Sequence, residues 1–599
     1  MNGWRTVIEK TREYNRSMPT RYDMRLVWRA AAYSASEGQP EPMVRAEAFA
    51  SVLKNAPLHI YEGELFAGSR VGFAVDELPA SVSEEKYKDA AERCRKKGQR
   101  DFIAGFDHSL ADYPHLLAVG IGGLVAECDR ALAVHADGPG TDSLRAMKTT
   151  LEALSGYALR YADACEATGR DDMAAVLRHI AEQPPGSVRE ALQLVWLVHI
   201  AFVAEGRYAM ALGRLDQYIR PFYEKDIAAG VTRAGVLDMV CHLWAKIEEL
   251  GEVTNICVGG VMPSGVDATN ELSYICLEAT RLVLSPHTNL SARLHDGSPD
   301  RFHRECFKCI RTGVGFPAIF NDHVIVDGLT AIGVPAAAAR EYCLVGCVET
   351  MLAGRQQAWS DSRFNAPLAF VGALRRFHAE GMKSFDELKS LFREELSAGI
   401  AEHAKGINGH IERFLAERFP DPFLSALTGR CIERGRDINA GGAEFERFHG
   451  IAIMGLATVA DSLAAVKKLV IEERLIPIDR LMSALEKDFE SSEALRLTLV
   501  NRAPKYGNAD LYVDDIAGWV VETASREVMK HEVRGGGRFL ALFAANIQNI
   551  SAGRDVPATP DGRRAFTPLS DAASPYFGMD RHGPTAFLHS VARPDYRHS

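Results

Sequence analysis

The stretch YCLVGCVE, residues 342–349, joins a short apolar run to a glycine, a cysteine and, two residues later, a glutamate. An apolar run that meets a glycine is typical of a strand that enters a loop. In an extended segment the side chains of residues i and i+2 point to the same side, which predicts that Cys347 and Glu349 face one cavity. The carboxylate disfavours a thiolate, so ordinary Cys–His nucleophilic chemistry is poorly served here. A thiol that gives and takes hydrogen atoms needs no ionisation, and a neighbouring carboxyl group can then act as acid or base on the substrate.

Helical patterns and short apolar runs alternate on both sides of this stretch. Apolar residues recur at three-to-four spacing over 116–134, 188–206, 233–251 and 455–475. Strand-like runs bounded by Gly, Pro or Asn occupy 255–262, 290–295, 316–322 and 343–349. This alternation predicts an α/β fold class that can close into a barrel.

The composition is that of a globular protein with a large core, because 47% of the 599 residues are hydrophobic and 25% are charged. The net charge of −10 argues against a nucleic acid or an anionic membrane as a partner. No apolar run approaches the ~18 residues of a membrane span. The first 25 residues are charged throughout and contain no apolar signal-peptide core. We therefore expect a cytoplasmic protein.

The eleven cysteines are scattered, which is typical of a reducing compartment rather than of a disulfide scaffold. The only CxxC pair is Cys306 and Cys309. A single pair cannot complete a four-ligand zinc or iron–sulfur site. We expect no metal, and two buried thiols on a helix.

The motif GCVE at 346–349 resembles the thiyl-loop motif of the glycyl radical enzymes, the superfamily of pyruvate formate-lyase and the radical diol dehydratases. Twelve residues after Glu349, Trp359-Ser360-Asp361 resembles the W-H-D element of the dehydratase branch, and Asn365 follows as it does in that branch. Further segments resemble the family in the same order along the chain: EGELFAG (62–68), GFDHSLAD (105–112), GRLDQYIRPFYEKD (213–226), GGVMPSGVDATNELSYICLEA (259–279), GVGFPAIFND (313–322), PKYGN (504–508), TPDGRRAFTPLSDAASP (559–575) and GPTAFLHSV (583–591).

The resemblance implies one catalytic barrel domain over residues 1–599. Its fold would be a ten-stranded α/β barrel of two antiparallel five-stranded halves, surrounded by helices, with the cysteine loop threaded into the barrel. A closed barrel interior would also keep solvent and oxygen away from a thiyl radical, as anaerobic radical chemistry requires.

The family mechanism places a thiyl radical on Cys347, which takes a hydrogen atom from the substrate and later returns one. Glu349 would deprotonate the hydroxyl on the radical carbon, and His108 or Asp361 would bind or protonate the leaving hydroxyl. His108 could instead hydrogen-bond a loop, and Asp361 could be a helix cap. Further residues of the substrate-binding site would be Asp112, Asn365 and Trp359.

Several positions depart from the dehydratase pattern. Thr350 stands where proline usually follows the glutamate, Ser360 replaces the histidine of W-H-D, and the proline before Asp112 is missing. Gly346 stands where pyruvate formate-lyase has a second cysteine, which argues against formate-lyase chemistry. These departures leave the substrate open.

The end of the chain departs from the family as well. Family members continue past the GPTA…SV element into a domain whose R-V-x-G-Y-type loop bears the stored radical, whereas this sequence ends at Ser599. We therefore expect a two-component enzyme without a permanently bound cofactor. A small glycyl-radical-bearing subunit would supply the radical in trans, a radical S-adenosylmethionine enzyme would generate it, and the large subunit would be a homodimer.

Three functions remain open on this reading. The first is a radical C–O lyase acting on a small polyol-like or hydroxylated substrate, with C–N lyases, C–S lyases and decarboxylases as its nearest relatives. The second is a non-catalytic homologue that acts as a binding scaffold. The third is a cysteine-nucleophile hydrolase, which needs a histidine near Cys347 that the sequence does not nominate.

Overall fold

The computed structural model describes residues 3–97, 108–135, 138–412, 419–544 and 547–599. The described helices are α1 (Gly3–Arg16), α2 (Met24–Ala35), α3 (Glu41–Asn55), α4 (Glu84–Lys96), α5 (Tyr113–Val134), α6 (Pro139–Ala167), α7 (Asp171–Ile180), α8 (Val188–Glu205), α9 (Leu215–Tyr218), α10 (Arg220–Ala228), α11 (Arg233–Leu250), α12 (Glu271–Val283), α13 (Asp300–Ile310), α14 (Asp322–Ala331), α15 (Ala336–Ala339), α16 (Ala366–Ala379), α17 (Phe385–Ile411), α18 (Pro422–Ala426), α19 (Cys431–Arg434), α20 (Leu456–Ala465), α21 (Ile478–Glu486), α22 (Glu493–Arg502), α23 (Leu511–Val528), α24 (Gln548–Gly553) and α25 (Pro584–Val591).

The described strands are β1 (Tyr22–Asp23), β2 (Ala74–Val75), β3 (Thr254–Gly259), β4 (Thr288–Leu294), β5 (Ala318–Asn321), β6 (Tyr342–Val345), β7 (Glu349–Leu352), β8 (Ser360–Asn365), β9 (Phe448–Met454) and β10 (Arg538–Leu542).

The four predicted helical segments are confirmed as α5, α8, α11 and α20, the last of which continues into a π-helical turn at Val466–Glu472. Helices α8 and α11 end at Gly206 and Gly251, whose left-handed backbone favours glycine. The predicted strand-like runs correspond to β3, β4, β5 and β6.

The chain divides into two compact units, of which the first comprises residues 1–360 and 413–447. Its interior contains α8 and α11, which bury Trp196 and Trp244 completely. Helix α8 is buried almost all round, because its sequence is apolar on nearly every face. Beside these helices β3, β4 and β5 form a parallel sheet, in which every residue of β3 is buried. Strands β6 and β7 form an antiparallel hairpin.

The second unit comprises residues 361–412 and 448–599. Its sheet has the order β10-β9-β8, with β9 and β10 parallel. Helices α16, α17, α20 and α23 pack together in this unit. A small apolar cluster of Ala452, Met454, Val556 and Leu569 joins β9 to the turn-rich segment that follows β10.

The α/β fold class is confirmed. The described strands form four sheets of two or three strands each, so the ten-stranded barrel stays a prediction. None of the helices in the described ranges is long and apolar enough to cross a membrane.

Candidate active site

Cys347 lies in a tight turn rather than in the extended segment that the sequence predicted. Val345 at the end of β6 pairs with Glu349 at the start of β7, so residues 346–348 form the connecting turn of the hairpin. The expectation that Cys347 and Glu349 alternate along one strand is therefore wrong, because Gly346 adopts φ +54° and reverses the chain. The side chain of Cys347 is exposed, whereas the other ten cysteines are buried.

Glu349 is only 3% exposed, and its carboxylate folds back against this turn. One oxygen, Oε2, accepts the backbone N–H of Val348 at 3.0 Å, and Oε1 lies 3.5 Å from Nδ1 of His108. Burial alone would raise the pKa of Glu349, but the charge and hydrogen bond of His108, together with the backbone N–H groups, lower this pKa below its usual 4.5. Glu349 is therefore a carboxylate at neutral pH and can accept a proton.

Gly346 leaves room for this carboxylate and imidazole. A Cβ atom at this position would lie 2.6 Å from Oε2 of Glu349 and 2.7 Å from Nδ1 of His108, closer than real Cβ atoms approach such groups. The glycine thus permits both the reversed backbone and the close packing of the Glu349–His108 pair beneath the turn.

We expect Gly346→Ala to reduce kcat by about 10²-fold, because displacing the predicted catalytic pair Glu349–His108 by ~1 Å would cost that much. Gly333→Ala is the matched control, since Gly333 also has positive φ, +96°, but no atom within 4 Å of the added Cβ. Both variants carry the backbone strain of a positive φ, but only Gly346→Ala adds a steric clash, so calorimetry should show the larger loss of thermal stability for Gly346→Ala. Equal kcat values in the two variants would show that the close packing at Gly346 is irrelevant to turnover.

His108 lies beside Glu349, and an isolated antiparallel β-bridge joins the backbone of His108 to that of Trp359. The N–H of Trp359 donates to the carbonyl of His108 at 2.9 Å, and the indole is fully buried. The structure thus brings Cys347, Glu349, His108 and Trp359 into one region of the first unit. Residues 105–107 of the segment GFDHSLAD (105–112) lie outside the described residues.

Asp112 has a structural task at the start of α5. Its carboxylate accepts the backbone N–H of His115 at 3.2 Å and caps the helix, and its own N–H donates to the carbonyl of Leu427 at 2.7 Å. Burial raises the pKa of Asp112 above its usual 3.8. Its predicted substrate-binding role stays a prediction.

Asp361 and Asn365 belong to the second unit, where both lie on β8. The carboxylate of Asp361 pairs with Arg363 at 2.7 Å, and the Asn365 amide donates to the carbonyl of Ala552 at 2.8 Å. Their predicted catalytic and substrate-binding roles stay predictions.

Sequence reasoning missed two residues that hydrogen-bond the backbone of Cys347. The side-chain amides of Asn255 on β3 and Asn289 on β4 donate to the carbonyl of Cys347 at 3.3 and 2.9 Å. The only sequence signal was an asparagine within or beside each predicted buried strand, where asparagine is depleted.

Arg293, also on β4, holds the start of the same segment. It is fully buried, forms a bidentate pair with Asp322 at 2.8 and 2.9 Å, and donates to the carbonyls of Arg340 and Tyr342. Asp322 also accepts the hydroxyl of Tyr342 at 2.7 Å. A charged pair thus anchors β6 at the end opposite Cys347.

The prediction of two buried thiols on a helix is confirmed. Cys306 and Cys309 are buried on α13, as the helical reading predicted, and Cys343 is fully buried in β6. Burial raises the pKa of the Cys343 thiol, so this residue is inert core. In the part of the chain that the structure describes, no group of three or more His, Cys, Asp or Glu side chains is arranged for a metal ion.

Comparison with known proteins identifies the class that this fold and turn define. The model of the pyruvate formate lyase-like family matches residues 80–553, more than half of the chain. A probable dehydratase (YbiW) of Escherichia coli is 31% identical over 83% of this chain and 69% of its own length. An isethionate sulfite-lyase of Oleidesulfovibrio alaskensis is also 31% identical, over 70% of this chain and 55% of its own length.

A solved structure agrees along the whole chain. The glycerol-bound form of the B12-independent glycerol dehydratase from Clostridium butyricum has a TM-score of 0.90 and 28% identity, covering 100% of this chain and 87% of its own. The chain belongs to the pyruvate formate lyase-like family. Within it, these relatives place the chain in the dehydratase branch of the glycyl radical enzymes, a class of radical lyases.

Proposed function

We propose that this chain is the catalytic subunit of a glycyl radical lyase that removes water from a small polyol-like or hydroxylated substrate. The observation that carries the proposal is the turn at 346–348, where the exposed Cys347 adjoins the buried carboxylate of Glu349. The dehydratases among its relatives support the same reaction type.

The residues can divide the reaction between them. As a thiyl radical, Cys347 takes a hydrogen atom from a carbon that bears a hydroxyl, which leaves a thiol and a carbon radical. Glu349 accepts the proton of that hydroxyl, and the resulting ketyl radical expels the neighbouring hydroxyl. His108 or Asp361 protonates the leaving group to water. The product radical then takes a hydrogen atom back from the Cys347 thiol, which restores the thiyl radical.

A hydrolase reading is weaker, although the structure places a histidine close to the turn that carries Cys347. His108 lies against the turn that carries Cys347, but its Nδ1 faces Glu349, and this carboxylate is ionised. A negative charge beside the thiol opposes the thiolate that a nucleophile needs.

We further propose that the radical comes from a glycine outside these 599 residues, carried by a small partner subunit. A radical S-adenosylmethionine enzyme would generate it there. The exposure of Cys347 supports this arrangement, because another protein can approach the turn. The large subunit would act as a homodimer, and its strands would close as a ten-stranded barrel of two antiparallel halves around the cysteine turn.

Electron paramagnetic resonance tests the two-component arrangement. Treated anaerobically with the activating enzyme, the 599-residue protein alone should give no glycyl doublet. Adding the small partner should produce both the doublet and turnover, and a partner whose radical glycine is changed to alanine should produce neither. A stable doublet on this polypeptide would refute supply in trans.

The substrate class needs a separate measurement, because one relative breaks a C–S bond. The reconstituted enzyme should convert a short diol, glycerol or propane-1,2-diol, to the aldehyde with loss of water. Sulfite release from isethionate with no reaction of diols would instead assign C–S cleavage. Amino-alcohol and carboxylate substrates test the C–N lyase and decarboxylase alternatives, and binding without any turnover would favour the scaffold.

A further inference from the structure

Two buried asparagines converge on one backbone oxygen, the carbonyl of Cys347. Asn289 donates at 2.9 Å and Asn255 at 3.3 Å, through their Nδ2 atoms. The two residues are register partners on the neighbouring parallel strands β3 and β4. Asn255 is fully buried and Asn289 is 7% exposed, so both amides are fixed within the sheet.

The orientation of the Asn255 amide is set by a third residue. The hydroxyl of Ser291 donates to Oδ1 of Asn255 at 3.2 Å, which leaves Nδ2 directed at the carbonyl of Cys347. A carbonyl oxygen has two lone pairs, and the two asparagines can occupy both.

The same face of β4 holds the other end of the cysteine segment. Residues 289, 291 and 293 alternate along the strand and therefore share a face. From that face Arg293 binds the carbonyls of Arg340 and Tyr342 at 2.8 and 2.7 Å. Strand β4 thus fixes the start of the segment through Arg293 and its tip through Asn289.

The proposed chemistry of Cys347 explains why its backbone needs to be held by these hydrogen bonds. The turn contains Gly346, a residue type that permits many backbone conformations, and Cys347 is exposed there. Hydrogen-atom exchange requires the reacting atoms at near-attack distance, and a functional group must be held to within about 0.5 Å. Both buried amides donate to the backbone of the same residue, Cys347, whose sulfur is proposed to react. This shared target favours a positioning role over the simple satisfaction of two buried polar groups.

We infer that Asn255 and Asn289 are positioning residues that hold Cys347 where its sulfur exchanges hydrogen atoms with the substrate. This inference rests on the proposed radical function of Cys347. It assigns the two asparagines no contact with the substrate and no proton transfer.

The test replaces the amides by isosteric apolar groups in the reconstituted enzyme. The double variant Asn255→Leu/Asn289→Leu should lose about 10²-fold in kcat while KM changes by less than ~3-fold, because positioning rather than binding is lost. The deuterium isotope effect on the substrate C–H bond should rise toward its full value, since hydrogen abstraction becomes rate-limiting. If the leucine variants fold poorly, Asn289→Asp replaces them in the test, because aspartate keeps the shape of the side chain. It should show the same rise in the isotope effect.

A matched control removes a buried amide elsewhere in the same unit. Gln193 is 1% exposed and exchanges two hydrogen bonds with the backbone of Ala67, at 2.8 and 2.9 Å. Gln193→Leu should lower thermal stability but leave the isotope effect unchanged. A lower stability with an unchanged isotope effect in the asparagine variants as well would assign them a structural role only and overturn the inference.

A second readout needs no radical. The rate at which iodoacetamide alkylates Cys347, followed by intact mass, should change several-fold in the asparagine variants and stay at the wild-type value in Gln193→Leu. Wild-type alkylation rate and wild-type kcat in the folded double variant would overturn the inference while leaving the proposed function intact. Turnover by Cys347→Ser would instead defeat the proposed function, whatever the asparagine variants do.

Discussion

Replacing Cys347 by serine should reduce turnover of the reconstituted enzyme to an undetectable level. The O–H bond of serine is too strong for reversible exchange of hydrogen atoms with a substrate carbon, so the relay is lost although the side chain keeps nearly the same size. Cys347 is exposed in a turn, and its replacement should therefore leave the fold and the thermal midpoint unchanged. Product formation and circular dichroism measure the two effects.

Cys343→Ala is the matched control for this experiment. The thiol of Cys343 is fully buried in β6, four residues before Cys347, and burial raises its pKa. We expect this variant to lose a little stability, about 1 kcal/mol, and to keep most of its activity. An inactive Cys343 variant beside an active Cys347 variant would reverse the assignment of the two thiols.

Glu349→Gln should lower kcat by about 10²–10⁴-fold, the usual loss when a general base is removed. Glutamine keeps the shape of the side chain and can still contact His108, so KM should change little. The glutamate has a lowered pKa and is ionised at neutral pH. In the wild-type enzyme kcat should therefore fall only when the pH approaches that low value, where the carboxylate becomes protonated.

The control for this prediction is the pH profile of the variant. Glu349→Gln has no carboxyl group to titrate at this position, so the acidic limb assigned to Glu349 should be missing from its residual activity. A variant that keeps wild-type kcat, or an acidic limb identical in both enzymes, would exclude Glu349 as the base.

The sequence predicted well what depends on local periodicity. The apolar pattern over 188–206 predicted a helix, and α8 spans Val188–Glu205 because the apolar residues continue until Gly206 ends the helix. The short run at 255–262 was recognised as strand-like, and β3 begins one residue earlier. Such elements are defined by neighbours in the chain, so one sequence suffices for them.

The candidate site was harder to predict, because it depends on a turn and on pairing between distant segments. The alternation rule failed for Cys347 and Glu349, since a glycine with positive φ replaces the extended backbone that the rule assumes. The motif resemblance still named both residues. Asn255 and Asn289 could not be found, because their convergence depends on the register of β3 against β4, which a single sequence does not specify.

The buried Arg293–Asp322 pair also restricts how this sequence can evolve. Losing either member leaves an uncompensated buried charge, at a cost of about 3–5 kcal/mol. That is a large part of the net stability of about 5–15 kcal/mol that a folded protein possesses. Drift at one position without the other therefore passes through a poorly folded intermediate, and the two residues should be inherited together. The segment that leads to Cys347 is thus held by two buried residues that can only be replaced together without loss of stability.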